Sequence, residues 1–93
     1  MSKKNQKIEL NLSAQFYKGV RIRLIKRNYG TQRAKRFLLG KEKNNHQNVW
    51  IPNVYLKDDG TVKPDANIDF VFKQAYYKNK FEYAGIDIDP RTW

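Results

Sequence analysis

Val20-Arg21-Ile22-Arg23-Leu24-Ile25-Lys26-Arg27 alternates apolar and cationic side chains from its first residue to Leu24. Side chains two apart share a face of an extended chain, so Val20, Ile22 and Leu24 predict a strand, about 20–27, with one face in a core. The arginines then face outward, about 7 Å between successive members. Lys18-Gly19, just before, reads as a turn. Earlier still, beyond the polar joint Ser13-Ala14-Gln15, Ile8, Leu10 and Leu12 alternate with Glu9 and Asn11 and predict another strand. Phe16 and Tyr17 lie between the two, and Phe16 is assigned to the core. Residues 1–7, with Lys3, Lys4 and Lys7 and no apolar anchor after Met1, read as a mobile basic arm on a single domain spanning 8–93.

On the other side, Asn28-Tyr29-Gly30-Thr31 ends the alternation, because Asn and Gly supply the positive φ that turns need. Residues 31–40 admit two readings. Ala34, Phe37 and Leu38 have helical spacing, with Thr31 as N-cap and Gly40 after the end. Alternatively, 33–41 pairs with 47–52 as a hairpin whose polar tip is Glu42-Lys43-Asn44-Asn45-His46. The hairpin is preferred, since Val49-Trp50-Ile51 has strand composition and needs a partner. Phe37 goes to the core under either reading.

Asp59-Gly60 predicts a tight reversal after Val54-Tyr55-Leu56. Pro64-Asp65 reads as a helix entrance with Asp65 as cap. Ile68, Val71, Phe72, Ala75 and Tyr76 form one stripe, giving a helix at about 66–84 whose first turn or two compete with an extended Ile68-x-Phe70-x-Phe72 reading. Ile86 to Trp93 is expected to pack along the sheet. The fold class is therefore α+β, a small antiparallel sheet of three to five strands with one main helix near the C-terminus.

Composition narrows function. The net charge is +10, and its distribution is uneven: residues 1–43 hold thirteen Lys and Arg against Glu9 and Glu42, whereas residues 44–93 hold six against seven acids. A field concentrated in one half attracts polyanions. The absence of cysteine excludes disulfides, thiolate metal sites and thiol catalysis, and fits a cytoplasmic setting. No signal-peptide pattern and no long apolar run is present, so no membrane association is expected.

Arg21, Arg23 and Arg27 are expected to form an exposed cationic row, extended by Lys26, Arg33, Lys35 and Arg36, with Tyr29 as an exposed surface for base stacking. The expected ligand is nucleic acid, single-stranded DNA or RNA slightly ahead of duplex, since aromatics interleave with the cations and no helix-turn-helix frame is visible. The rival expectation is a protein-interaction module docking on an acidic or nucleic-acid-handling protein, with Tyr76, Tyr77, Tyr83 and Trp93 as a candidate protein interface. His46 is assigned to the surface, and no nucleophile motif, phosphate-binding glycine loop or small-molecule site is evident. Asp58, Asp59, Asp65, Asp69, Asp87 and Asp89 are set aside as a magnesium site, because turns and caps account for most of them. No enzyme activity, metal or cofactor is expected.

Overall fold

The structure is a computed structural model that describes residues 14–41 and 47–93. Among them, four strands form one antiparallel sheet in sequence order: β1 (Gln15–Tyr17), β2 (Val20–Leu24), β3 (Ala34–Leu39) and β4 (Asn48–Pro52). The arm at 1–7, the strand expected from Ile8 to Leu12 and the hairpin tip with His46 lie outside the described residues.

β1 and β2 are joined by Lys18-Gly19, with φ of 49° and 86°. Positive φ at both central residues matches the right-handed twist of a two-residue hairpin and locks the register Tyr17↔Val20, Phe16↔Arg21. That register places Gln15, Tyr17, Val20, Ile22 and Leu24 on one face. Phe16 is left on the other, 67% exposed. Its assignment to the core is corrected: parity decided its side, and its apolar character had no vote. Residues 34–39 are strand, paired with β4 through Lys35↔Ile51, Arg36↔Trp50 and Phe37↔Val49.

The inner face carries Val20, Ile22, Leu24, Phe37, Leu39, Val49 and Ile51, all buried. It is closed by helix α1 (Asp69–Tyr77), whose Val71, Phe72 and Ala75 turn inward, and by Phe81 of the short helix α2 (Lys80–Tyr83). The helical stretch expected at about 66–84 is thus two pieces. Asn79, at φ 62°, separates them and lets the chain double back so that Phe81 meets Phe72 edge to face. Ile68 precedes the helix outside both helical and extended conformation, at φ −120° and ψ 29°, and is fully buried. Asp65 is exposed and caps nothing. The Asn67 side chain instead accepts the Asp69 amide at 3.0 Å.

Asp59-Gly60 forms the expected reversal, closed by the Leu56↔Val62 bridge. Both sides of that loop are held by Gln15, which donates to Gly60 O and accepts from the Val62 amide, each at 2.9 Å. The C-terminal segment packs Ile86, Ile88 and Trp93 against the core and ends in a single 3-10 turn at Pro90–Thr92. No helix among the described residues is long and apolar enough to cross a membrane.

Candidate nucleic-acid interface

Alternation sends Arg21 and Arg23 to the face of β2 opposite the core, as expected. The row they were to form with Arg27 is nevertheless interrupted. Arg21 is exposed, but Arg23 is half-buried and donates from Nη2 to Gly40 O at 3.0 Å. Beside it Ile25 and Leu38, outside the main core cluster, are themselves buried, Leu38 completely. The middle of the outer face is therefore apolar and closed, which leaves Arg21 at one end and a larger group of cations at the other.

That larger group comes from residues 26–36, which contain Lys26, Arg27, Arg33, Lys35 and Arg36 and no acidic residue. β2 ends early, so the first half of β3 loses its neighbour on that side. Tyr29 takes the vacated place. Its hydroxyl accepts from the Arg36 amide at 3.2 Å and donates to Ile25 O at 2.5 Å. The expectation that Tyr29 stands exposed for base stacking is corrected accordingly: it is half-buried, with its hydroxyl fixed to backbone. The reason is a length mismatch between two strands, which no local pattern encodes.

Tyr29 organises cations. The Arg27 guanidinium lies 5.2 Å and the Lys35 ammonium 5.9 Å from its ring centre, and Lys35 also donates to Asn53 Oδ1 at 3.1 Å. Its edge meets the Trp50 indole at 6.2 Å. Trp50, cross-strand neighbour of Arg36, has the Arg36 guanidinium 5.4 Å from its ring and remains 40% exposed. Attraction between cation and ring quadrupole holds such groups in place without neutralising them. Arg36 Nε is buried and has no hydrogen-bond partner among the described residues. Arg33, exposed, borders a concavity of about 580 Å³ lined also by Gln32, Ala34, Trp50 and Pro52.

No described carboxylate is paired with the cations at this end of the sheet. Among the described residues the ion pairs are Lys18 with Asp69 at 2.9 Å and Arg91 with Asp89 at 2.6 Å. Neither involves Lys26, Arg27, Arg33, Lys35 or Arg36. Trp50 was read from the sequence only as a strand former. The signal that would have found it is its position opposite Arg36 in the preferred hairpin, on the face away from Val49 and Ile51.

The second set of expected site residues is divided. Tyr77 and Tyr83 are 69% and 70% exposed. Tyr76 packs on Phe81, with Arg91 5.2 Å from its ring, and Trp93 packs on Tyr17 and Phe72, both at 5.8 Å. The surface beside Tyr76 and Tyr77 is an open groove of about 680 Å³ whose charged lining is mostly acidic, with Glu82, Asp87 and Asp89 facing one cation, Arg91. Like charge therefore disfavours this groove as the place where an acidic partner docks. Asp89 is held below the usual carboxylate range by Arg91, which grips it through side-chain hydrogen bonds and an amide, and Arg91 is correspondingly raised. Among the described residues no three His, Cys, Asp or Glu side chains gather as a metal site.

Comparison of the chain with protein-family models, curated protein sequences and solved structures found no match.

Proposed function

We propose that this protein binds nucleic acid through the cationic end of its sheet, built by residues 26–36 together with Trp50. The observation that carries the reading is a run of five Lys and Arg side chains, unpaired by any described carboxylate, with Arg33 and Arg36 beside a half-exposed indole and Arg27 and Lys35 against Tyr29. A polynucleotide offers what that surface lacks: closely spaced negative charge beside flat aromatic groups. Arg33 and Arg36 suit bidentate phosphate contacts, and Lys26, Arg27 and Lys35 add charge around them. Arg21 lies apart and contributes to the field more than to the site.

Fluorescence-anisotropy titration with labelled single-stranded DNA, duplex DNA and RNA over a range of salt concentrations tests this. About five phosphate contacts give a slope of log affinity against log salt near −4.5 on duplex and about −3.5 on a single strand. No binding of any of them at about 50 mM salt, where such contacts are strong, ends the reading. The same cations would then serve the alternative role of docking on an acidic protein surface.

A further inference from the structure

If the cationic end of the sheet binds nucleic acid, its shape specifies more than charge. We infer that the recess bounded by Trp50, Pro52 and Ala34 is a seat for one unpaired nucleobase, so that the ligand is single-stranded; this rests on the reading above.

The recess is a consequence of pairing. Ala34 and Pro52 are cross-strand partners at the end of the β3–β4 ladder, directly beyond the pair Arg36↔Trp50. A methyl and a pyrrolidine ring are smaller than the indole beside them, and the surface the three share is shallow and open. The concavity there, about 580 Å³, exceeds the bulk of one base and is open to solvent along its length. Its walls are apolar where a base would lie. Gln32 and Arg33 also line it, the amide able to donate and accept at a base edge and the guanidinium able to bind the attached phosphate. Arg36, 5.4 Å from the Trp50 ring centre, supplies a second cation for the next phosphate in the chain.

A base inside a duplex is stacked on both sides and cannot present a face to an indole, whereas an unpaired base can. The opposite requirement, a helix entering a major groove, is unmet on this side of the molecule. α1 packs on the inner face of the sheet, and its first turn carries Asp69. The segment that supplies the cations is a turn and a strand. Such a surface tracks a flexible backbone and is sequence-tolerant, since every base has a π-face.

The test uses the full chain and labelled 12-mers at one salt concentration: oligo-dT, oligo-U, a duplex, and an abasic strand that keeps the phosphates and lacks bases. Oligo-dT or oligo-U should bind about 5- to 150-fold tighter than the abasic strand, the span expected for stacking one base, with the tighter of the two identifying the sugar preferred. Trp50→Ala should bring the base-bearing strands down to the abasic value, while Trp50→Phe keeps most of the difference. Equal binding of base-bearing and abasic strands by the unmodified protein overturns the seat while leaving nucleic-acid binding intact, and that comparison does not depend on any variant folding. A Trp50→Ala variant that is folded by circular dichroism and keeps the full ratio overturns the assignment to Trp50. Failure of all four probes to bind overturns both readings together.

Discussion

The Tyr17 hydroxyl donates to Asp69 Oδ1 at 2.6 Å and accepts from the Ile68 amide at 3.0 Å, joining the first hairpin to the start of α1 across more than half the chain. One side chain thereby satisfies an amide ahead of the first helical turn and a carboxylate within it, two places where an unpaired polar group would be costly. The same ring stacks on Phe72 at 4.9 Å with an interplanar angle of 6°.

Tyr17→Phe keeps the stack and removes both hydrogen bonds. It should cost about 1–2 kcal/mol, or roughly 5–10 °C in Tm for a domain of this size. The difference from the unmodified protein should also depend on pH. Asp69 is held below the ordinary carboxylate range by the Tyr17 hydroxyl first and by Lys18 as well. Its folded value being depressed, the stabilisation is complete above the unfolded pKa of about 3.9 and is lost as pH falls through the folded value. Tyr17 is shifted upward by burial first, then by its hydrogen bond to Asp69. That contribution is present below about pH 10 and lost as pH rises through the raised value. Urea midpoints for the two proteins should therefore draw together as pH falls below about 4 and again as it rises above about 10. A constant difference throughout would show that Asp69 and Tyr17 are not coupled.

Gly40 and Gly30 both have positive φ, 53° and 57°, but differ in their surroundings. A Cβ at Gly40 would lie 2.7 Å from Ile86 Cγ1 and 2.8 Å from Ala84 O, whereas at Gly30 nothing lies within 4 Å. Gly30→Ala should cost only the backbone term of about 1–2 kcal/mol. Gly40→Ala adds a clash with a carbonyl that itself accepts the Lys41 amide, and should cost about 3 kcal/mol or more. Chemical denaturation of the two variants orders them; equal losses would mean that the C-terminal segment yields freely.

Replacing Arg33 and Arg36 together by alanine should lessen the salt slope of nucleic-acid binding by about 1–2 units. Arg91→Ala is the control, one charge against two, because Arg91 is engaged with Asp89 through several contacts of 2.6–3.0 Å, on a different surface. A response to Arg91→Ala half that of the double change, equal charge for charge, would point to net charge alone, with no localised interface.

Trp93 was grouped by composition with exposed tyrosines, yet its ring covers Tyr17 and Phe72, and its carbonyl accepts from Lys73 Nζ at 2.9 Å. Trp93→Ala should therefore cost about 2–4 kcal/mol in urea unfolding, as removal of a partly buried aromatic does. Tyr83→Ala, at an exposed position, should change stability by less than about 0.5 kcal/mol. The reverse order would return Trp93 to the surface.

Much of the fold was readable locally. The side taken by Val20, Ile22 and Leu24 depends only on the period of an extended chain, and Lys18-Gly19, Asp59-Gly60 and the stripe from Val71 to Ala75 carry their own backbone preferences. The choice of strand for 34–39 followed from the need of Val49-Trp50-Ile51 for a partner. The helix end was less legible, because Asn79 breaks it through a positive φ that Asn tolerates but does not demand, and the energy that selects it comes from burying Phe81.

Position along the chain likewise told where the positive charge is concentrated, since counting residues requires no coordinates. It did not tell which cations share a surface. That was decided by the early end of β2, by Tyr29 filling the gap against β3, and by the register that sets Trp50 beside Arg36. Each is a contact between segments distant in sequence, whose energy exists only once both strands are in place. Period and turn chemistry act within a few residues, whereas register and burial are sums over the assembled sheet.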